Sequence, residues 1–361
     1  MVLRIGVNAL YLIPGRVGGT EIYLRSLLAA LARIDHDNQF VIYSNQETGE
    51  DLAPRASNFL PVSLPVRAVN RSRRILFEQF SLPGRLRQDR IDVLFNPGFT
   101  APAFAPCPQV TVIHDLQHKR HPEYFRWFDL PFWRFLVWAA VKRSDRIIAV
   151  SEATKADLLN YYDIPADKIA VVEHGVDDRF FAIAAERTHI EPFLLCVSTL
   201  HPHKNIERLV RVFARLTVRH PALRLVLAGL KGFQTAPVEA LVASLGIGGK
   251  VELTGWMPRE QLYDYFRRAA AFVYPSTFEG FGMPVLEALA AEVPLACSDI
   301  EPLRGIARGA AWLFHPEDEA DMERAIERML GGKLTRARNT ARDYSWTTAA
   351  QATLRALRAV L

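Results

Sequence analysis

Short apolar runs alternate with longer segments of helical spacing along the first half of the chain. RIGVNAL at residues 4–10 precedes TEIYLRSLLAALARI at 20–34, and RIIAV at 146–150 precedes SEATKADLLNYY at 151–162. Apolar runs of this length favour buried strands, whereas apolar positions that recur every three or four residues favour helices. Strands that alternate with helices in this way predict a parallel sheet covered by helices.

The alternation starts again beyond a charged segment that has no regular spacing. PFLLCVS at residues 192–198 leads into NIERLVRVFARLTVRH at 205–220. The pattern therefore predicts an α/β protein with two Rossmann-like, doubly wound domains facing across a cleft. The expected parts are an N-terminal domain over residues 1–173, an interdomain linker over 174–190 and a C-terminal domain over 191–343.

Composition and charge narrow the range of functions. The chain has 361 residues, of which 50% are hydrophobic, and a net charge of +5 that is too diffuse to indicate nucleic-acid binding. The opening MVLRIGVNAL lacks the features of a signal peptide, and no run reaches the roughly 18 apolar residues of a membrane span. Cys107, Cys196 and Cys297 fit reduced core thiols rather than disulfides or metal ligands. These features predict a cytoplasmic protein.

Turns that follow predicted strands carry candidate binding residues, because ligands of parallel sheets bind beyond the carboxyl ends of the strands. Gly18 and Gly19 precede a helix expected to start near Thr20, where backbone amides favour an anion. His114 ends the apolar strand of VTVIHDL and would face the cleft. Taken alone, these two features are explained better by a connecting turn and a satisfied core histidine.

Two turns of the second series are also candidates. Lys204, beside His203 in STLHPHKNIERL, lies at the expected start of a helix, where its charge opposes the helix dipole unless an anion is shared between them. A solvated lysine is an equally good explanation. Gly255 and Trp256 follow the strand of VELTG and could present backbone groups to a planar ring, although packing commonly explains such a pair.

The stretch PSTFEGFGMPVLEAL, residues 275–289, places Glu279 and Glu287 around a glycine-containing loop. Pro284 suits the first turn of a helix, so Glu279 is expected on the loop and Glu287 on the helix, both facing the same space. Backbone amides from Gly280 to Met283 would line that space and favour a phosphate. Structural capping accounts for one glutamate, but poorly for two with this glycine pattern.

EGFGMPVLE resembles the E-x7-E motif of retaining glycosyltransferases of the family 4 type, which have the GT-B fold. The resemblance extends over nearly the whole chain, because VIHDL, IIAVSEATKADL, the HGVD junction and the Lys-Asn turn occur in the family's order. The final YSWTTAAQATL is similar to the family's closing helix, so residues 344–361 are expected to cross back to the N-terminal domain. Within the family, the chain looks most like bacterial mannosyltransferases of O-antigen or exopolysaccharide assembly.

The resemblance implies a role for each candidate residue. Glu279 would contact the donor sugar and help to hold it while positive charge develops at the anomeric carbon, and Glu287 would bind the nucleotide ribose. Lys204, with the amides at Phe281 and Gly282, would stabilise the leaving diphosphate. The other implied contacts are Gly18 and Gly19 near the diphosphate and the acceptor, His114 at the donor sugar, and the backbone near Gly255 at the base.

The chain departs from the family's pattern in one turn. Many relatives carry an arginine near this lysine, whereas the candidate positions here are Thr199 and His203. Either the phosphate is held with less fixed charge, or a protonated His203 supplies that charge. No Asp-x-Asp element indicates a metal site, and the family's use of protein groups implies transfer without a metal ion or another cofactor.

The resemblance also implies the substrates. GDP-mannose is favoured as donor over UDP-sugars and dTDP-rhamnose, and the acceptor would be a glycan or a polyprenyl-linked glycan. Same-face attack assisted by the leaving phosphate is favoured over double displacement, because the pattern places no isolated nucleophile beneath the anomeric carbon. The alternatives are a sugar epimerase, a glycogen-synthase-like enzyme and a non-catalytic nucleotide-sugar-binding module, which would have no use for Glu279.

The segment YFRWFDLPFWRFLVWAAVKR, residues 124–143, combines aromatic with basic side chains. Phe128, Phe132, Phe135 and Ala139 follow helical spacing and are expected to form the core side of a helix. The three tryptophans do not fit on that stripe, so contact with lipid or with a partner is the alternative interpretation. Peripheral contact with the cytoplasmic face of the inner membrane follows from that alternative.

Overall fold

The computed structural model describes residues 2–332 and 340–361. These residues form two compact units. The first unit runs to Gly175 and includes Ser345–Leu361, and the second unit comprises Val176–Tyr344. Each unit contains a parallel sheet with helices packed on it, which confirms the predicted α/β class with two Rossmann-like domains.

The first unit is built on a parallel sheet. Its strands are β1 (Arg4–Asn8), β2 (Gln39–Ser44), β3 (Phe59–Ser63), β4 (Val93–Asn96), β5 (Gln109–Ile113), β6 (Arg146–Ala149) and β7 (Ile169–Val171). They lie in the order β3-β2-β1-β4-β5-β6-β7. The α-helices that connect them are α1 (Gly19–Ile34), α2 (Arg71–Leu76), α3 (Leu82–Gln88), α4 (Gln117–Arg120), α5 (Leu130–Arg143) and α6 (Glu152–Tyr161). The strands β4 and β5 are buried along their whole length, as a sheet covered on both faces requires.

The second unit repeats this plan with a different strand count. Its strands are β8 (Glu191–Val197), β9 (Arg224–Ala228), β10 (Val251–Gly255), β11 (Ala269–Tyr274), β12 (Leu295–Ser298) and β13 (Trp312–Phe314). They lie in the order β10-β9-β8-β11-β12-β13. The α-helices are α7 (Asp178–Glu186), α8 (Ile206–Arg219), α9 (Thr235–Ser244), α10 (Arg259–Arg268), α11 (Met283–Ala290), α12 (Leu303–Ala307) and α13 (Glu319–Gly331). The carboxyl ends of neighbouring strands β8 and β11 therefore meet at one edge of this sheet.

Residues 174–190, expected to be a linker, contain the helix α7. Phe180 and Ile183, three residues apart, are fully buried. The Phe180 ring lies 5.1 Å and 5.0 Å from the ring centroids of Tyr263 and Phe266 in α10. The charged residues of the segment hid this short apolar face, and packing against α10 makes α7 part of the second unit.

The last helix, α14 (Trp346–Arg358), packs on α1 within the first unit. The Trp346 ring lies 6.0 Å from the ring of Tyr23 in α1. A Cβ atom on Gly175 would come within 2.1 Å of the Trp346 nitrogen. Only glycine therefore fits where the first unit ends beside the start of this helix.

The structure of the aromatic segment 124–143 differs from what its helical spacing predicted. Phe128, Phe132 and Phe135 are 57%, 49% and 58% exposed and do not form the core side of α5. The buried residues of α5 are Leu136, Val137, Ala139, Ala140 and Val141. Because apolar residues occupy every side of α5, helical spacing alone fits two stripes, and the smaller aliphatic side chains pack towards the sheet. Among the described residues, every helix is too short or too polar to cross a bilayer.

Candidate active site

A lysine and a glutamate meet at the carboxyl ends of β8 and β11. Lys204 ends a 3-10 turn, Pro202–Lys204, after β8, and Glu279 lies in the loop after β11. The Lys204 Nζ and Glu279 Oε1 atoms are 2.6 Å apart, and the two side chains are only 14% and 10% exposed. Nζ also donates to the Tyr274 hydroxyl at 3.1 Å. The structure thus brings together two residues that the sequence analysis assigned to one reaction.

Hydrogen bonds fix the lysine turn against the glutamate loop. Asn205 has a left-handed backbone with φ 58°, and its side-chain amide donates to the Pro275 carbonyl at 3.0 Å. The His203 carbonyl accepts a hydrogen bond from the Thr277 amide at 2.8 Å. Asparagine adopts this backbone conformation more readily than most residues, so the Lys-Asn pair turns the chain and directs the lysine towards the loop.

Burial sets the protonation of the groups around this ion pair. Burial raises the pKa of the Tyr274 hydroxyl well above its ordinary value, and the Glu279 carboxylate raises it further. Tyr274 therefore stays protonated, and its hydroxyl oxygen accepts from Lys204. Burial and the Lys204 charge both lower the pKa of His201, whose ring centroid lies 5.9 Å from that of His203. His201 is thus neutral at pH 7 and adds no charge to the lysine.

Glu287 forms a second buried ion pair, with Arg259 at the start of α10. Arg259 Nη2 lies 2.8 Å from Glu287 Oε1, and the glutamate side chain is 7% exposed. The guanidinium lies over the rings of Phe180 and Tyr263, 5.1 Å and 5.5 Å from their centroids. Its Nε donates to the Tyr263 hydroxyl at 3.3 Å, and that hydroxyl donates to Asp177. Side chains of α7 and α10, with Asp177 beside them, therefore aim the arginine at the second glutamate.

The charge of Glu287 depends on Arg259. Burial raises the pKa of Glu287, and the lowering effect of Arg259 offsets this only in part, so the carboxyl accepts a proton more readily than one in water. Burial lowers the pKa of Arg259, but Glu287 and Tyr263 raise it by more, so the guanidinium stays charged. An ionised carboxylate with two oxygens can accept two hydrogen bonds at once, as a vicinal diol requires.

A glycine shapes the loop between β11 and α11. Gly282 has φ 111°, and a Cβ atom there would lie 2.4 Å from a leucine methyl in α12, so only glycine satisfies both constraints. The buried Phe281 and its neighbour Gly280 precede it in the same loop. Met283 begins α11 and Pro284 follows in the first turn, as the proline pattern predicted. At the start of α11, Pro284 has no amide hydrogen, and the Val285 amide donates to the Gly282 carbonyl at 3.0 Å.

Gly255 and Trp256 lie at the carboxyl end of β10. Gly255 has φ 71°, and its carbonyl accepts a hydrogen bond from the Gly229 amide at 3.1 Å. Trp256 is 59% exposed. Core packing, the simpler explanation from the sequence, therefore does not account for this indole.

The candidate glycines Gly18 and Gly19 lie in the first unit, at the start of α1. Gly18 precedes the helix with φ 62°, and α1 begins at Gly19, one residue earlier than expected. Glu21 in the first turn accepts a hydrogen bond from the Gly15 amide at 2.7 Å and pairs with Arg25 at 2.9 Å. A carboxylate of the protein thus already lies near the positive end of this helix dipole.

His114 also lies in the first unit, after β5. Its Nε2 is 2.8 Å from the Pro97 carbonyl, so Nε2 carries the proton and Nδ1 is the acceptor of the ring. Burial lowers the pKa of His114 to about 4, and the Tyr23 ring packs edge-on at 4.9 Å. A satisfied core histidine accounts for this geometry, and the ring is neutral at pH 7.

Several residues that build these two ion pairs carry no recognisable sequence signal. Arg259 precedes Glu287 by 28 positions. Tyr274 belongs to an apolar run, and Asp177 belongs to the segment 174–190 that was expected to be a linker. No spacing links such residues, because only the packing of α7, α10 and β11 brings them to one edge. Among the described residues, no group of three His, Cys, Asp or Glu side chains is placed to hold a metal ion.

Two family models match consecutive parts of the chain. The model described as Glycosyltransferase Family 4 matches residues 17–180, and the model described as Glycosyl transferases group 1 matches residues 180–346. Together they span both units and confirm the family that the motifs indicated. The chain belongs to the family 4 type of glycosyltransferases with the GT-B fold.

Curated relatives of the chain include proteins named as mannosyltransferases. The O-antigen chain mannosyltransferase RfbU of Salmonella typhimurium is 27% identical over 240 residues, which cover 66% of each chain. The O-antigen chain mannosyltransferase B of Escherichia coli is 25% identical over 266 residues, which cover 68% of this chain and 69% of the relative. The chain thus spans about two thirds of the length of these mannosyltransferases. The sucrose-phosphate synthase of Thermosynechococcus elongatus shares the fold, with a TM-score of 0.80 at 18% identity over 99% of this chain and 98% of its own.

Proposed function

We propose that the chain is a retaining hexosyltransferase that moves mannose from GDP-mannose to a glycan or a polyprenyl-linked glycan. The buried contact between Lys204 and Glu279 carries this proposal, because it joins a cation and a carboxylate at the carboxyl edge of the second sheet. A non-catalytic nucleotide-sugar-binding module would have no use for Glu279, whose desolvation opposes folding. The relatives named as mannosyltransferases favour mannose, and UDP- or dTDP-sugars are the alternative donors.

In the proposed reaction the acceptor hydroxyl attacks the anomeric carbon on the face from which the diphosphate departs. The bond from that carbon to the phosphate oxygen breaks, and its electron pair stays on the oxygen. The same oxygen takes the acceptor proton as the glycosidic bond forms, so the anomeric configuration is retained. Glu279 accepts hydrogen bonds from the sugar hydroxyls while the ring carries positive charge.

Lys204 stabilises the departing diphosphate in this scheme. An ammonium has three N–H donors, and Glu279 and Tyr274 use two of them, which leaves the third for a phosphate oxygen. The helix-start amides over Phe281–Met283 and a protonated His203 add to this stabilisation. Protein groups then supply the charge, so the proposed transfer requires no metal ion and no other cofactor.

Glu287 holds the nucleotide ribose in this proposal, with Arg259 keeping it ionised. Arg259 Nη1 is buried and has no hydrogen-bond partner among the described residues, which favours a ligand oxygen as its acceptor. The backbone at Gly255 and the exposed ring of Trp256 would take the base.

The first unit would supply the other contacts. The Gly18–Gly19 turn would lie near the diphosphate and the acceptor, and His114 would approach the donor sugar as a neutral hydrogen-bonding ring. We propose that the reaction takes place in the cytoplasm, and at the cytoplasmic face of the inner membrane when the acceptor is polyprenyl-linked.

Saturation-transfer NMR of the purified chain tests the donor. GDP-mannose, UDP-glucose and dTDP-rhamnose are offered one at a time without added metal, and anomeric signals are followed over time. We expect the strongest transfer to the base, ribose and sugar protons of GDP-mannose, with slow release of GDP. Glu279→Gln is the control, which should keep the binding signals and lose the turnover. Absence of binding by all three donors would contradict the proposed function.

A further inference from the structure

Exposed aromatic and aliphatic side chains cluster on the first unit, in the helical segment that contains α2, in the loop before β5 and in residues 124–143. They are Leu76, Phe80, Phe104, Trp127, Phe128, Phe132, Phe135 and Trp138. The least exposed of them is still 47% exposed, and Trp127 reaches 84%. We call these eight residues the aromatic surface. Contiguous apolar exposure of this kind marks an interaction site rather than ordinary surface variation.

Contacts between the three segments make this surface continuous. The Gln79 side chain hydrogen-bonds to the backbone of Ala101 and Ala103 at 2.9 Å and 2.8 Å, which joins the segment after α2 to the loop that carries Phe104. The Arg143 guanidinium lies 5.2 Å from the centroid of the Phe104 ring, which joins that loop to the end of α5. These contacts place the segment after α2, the loop that carries Phe104 and the end of α5 beside one another.

Basic side chains accompany the exposed rings. Within residues 124–143 the charged residues are Arg126, Arg134, Lys142 and Arg143 against Asp129 alone. On α2, the Arg71 guanidinium lies 5.1 Å from the centroid of the Trp133 ring. The aromatic surface is thus bordered by an excess of positive charge.

This combination fits an anionic lipid surface. Tryptophan and phenylalanine insert at the level of lipid headgroups, where arginine and lysine beside them contact phosphates. Positive charge next to the rings complements anionic lipid. α5 spans 14 residues with one buried and one exposed side, so it would lie along the bilayer surface and not cross it.

We propose that the aromatic surface docks the first unit on a bilayer that contains anionic lipid. The inference deepens the proposed function by naming the surface that would meet a membrane-bound acceptor. It rests on exposure and charge, and it does not depend on which nucleotide sugar is the donor.

Co-sedimentation of the full chain with vesicles tests this docking. Vesicles of phosphatidylcholine alone are compared with vesicles that also contain phosphatidylglycerol, and we expect binding to the second kind. Trp127→Ser combined with Phe135→Ser should weaken that binding about tenfold or more, because two rings are withdrawn from the interface. Arg126→Gln combined with Arg143→Gln should weaken it about tenfold, and high salt should abolish the difference between this variant and the parent chain.

Val218→Ser is the matched control, because Val218 is 82% exposed in the second unit and lies outside the aromatic surface. It should bind vesicles as the parent chain does. The proposal is overturned if the parent chain ignores anionic vesicles, or if the Trp127 and Phe135 variant binds them equally well. It is also overturned if light scattering finds a dimer that this variant dissociates while neither form binds vesicles, since a second copy would then be the occupant. Vesicle binding without any GDP-mannose signal would reject the proposed donor and leave the docking intact.

Discussion

Two groups of ion pairs in the second unit differ in exposure. On the outer face, α8 and α13 are joined by pairs of Arg211, Arg215 and Arg219 with Glu319, Glu323 and Glu327, which we call the surface ladder. Its arginines are 41–50% exposed and its glutamates 19–31%. At the carboxyl edge of the sheet, the Lys204–Glu279 pair is 14% and 10% exposed, and the Arg259–Glu287 pair 27% and 7%.

The difference in exposure predicts different energetic contributions from the two groups of ion pairs. In the surface ladder, water and salt screen each pair, so each contributes only about 0.2–1 kcal/mol to stability. At the carboxyl edge, burial costs several kcal/mol of desolvation per ion, and an apolar pair of the same volume would often stabilise the fold as well or better. We therefore infer that the two buried pairs serve a ligand. The charged groups and hydroxyls of that ligand can replace one partner in each pair.

Removal of Glu279 should have the largest effect. Glu279→Ala is expected to lower kcat about 100- to 1,000-fold or more, because the carboxylate acts where positive charge develops on the sugar. Nucleotide affinity, measured by calorimetry with GDP, should change little. Glu323→Ala in the surface ladder is the control and should leave both quantities near the parent values. An equal loss of GDP affinity at Glu279 and Glu287 would contradict the division of roles.

Changes at the second pair should act on binding and on its pH dependence. Glu287→Ala is expected to weaken GDP binding about 10- to 100-fold, through the loss of hydrogen bonds to a charged acceptor. Arg259→Met removes the group that lowers the Glu287 pKa, so protonation should occur at higher pH than in the parent chain. GDP affinity of this variant should therefore begin to fall at a higher pH as the solution is acidified.

Titration calorimetry across the acidic and neutral range measures this shift. Arg259→Lys should restore the parent profile in part, because it returns the charge without the planar guanidinium. If GDP affinity falls at the same pH in the Arg259→Met variant and in the parent chain, Arg259 does not control the ionisation of Glu287.

The fold was largely predictable from sequence, because parallel strands buried on both faces leave continuous apolar runs between helical segments. Two features were not predictable: the helix α7 within the expected linker, and the side of α5 that faces the sheet. The apolar face of α7 has only two buried positions, Phe180 and Ile183, among many charges. In α5, aromatic rings and small aliphatic residues both follow helical spacing, so periodicity could not choose which side faces the sheet. The choice depends on side-chain volume against β5, which only the folded unit reveals.

The spacing of residues predicted contacts at the candidate site only where they are local in sequence. Glu279, Gly282 and Pro284 share one loop and helix start, so their spacing indicated a binding loop. The contact of Lys204 with Glu279 joins positions 75 residues apart. That of Arg259 with Glu287 depends on the packing of α7 beneath the guanidinium, and no sequence pattern encodes it.

The stability of the buried lysine pair provides a third prediction. Lys204→Met leaves Glu279 in a poorly solvated place without its cation, and should lower the free energy of unfolding by about 2–4 kcal/mol. Lys204→Met with Glu279→Leu replaces both charges by apolar groups and should recover much of that loss while transfer stays abolished. Urea denaturation measures both variants. If the double variant is no more stable than the single one, desolvation is not what separates this pair from the surface ladder.

Changes in the surface ladder should have the smallest effects on stability. The pH dependence of these effects should be opposite to that at Glu287. Burial raises the pKa of Glu323, but hydrogen bonds from Arg219 and Arg215 lower it by more, so its folded pKa is below the unfolded one. Its contribution is therefore complete above the unfolded pKa, near 4.3, and is lost as the pH falls through the lower folded value. Glu287, whose folded pKa is raised, behaves oppositely: protonation relieves its cost as the pH falls.

Glu323→Gln should thus lower the free energy of unfolding by about 0.2–1 kcal/mol at pH 7 and by less in high salt. Relative to the parent, the free energy of unfolding of Glu287→Gln should be higher at pH 7 than at pH 4, because only the higher pH charges the buried carboxyl of the parent. Denaturation at the two pH values and two salt concentrations measures both. If both glutamine variants change stability with the same pH dependence, exposure does not distinguish the surface ladder from the buried pairs, and the inference that the buried pairs serve a ligand loses its physical basis.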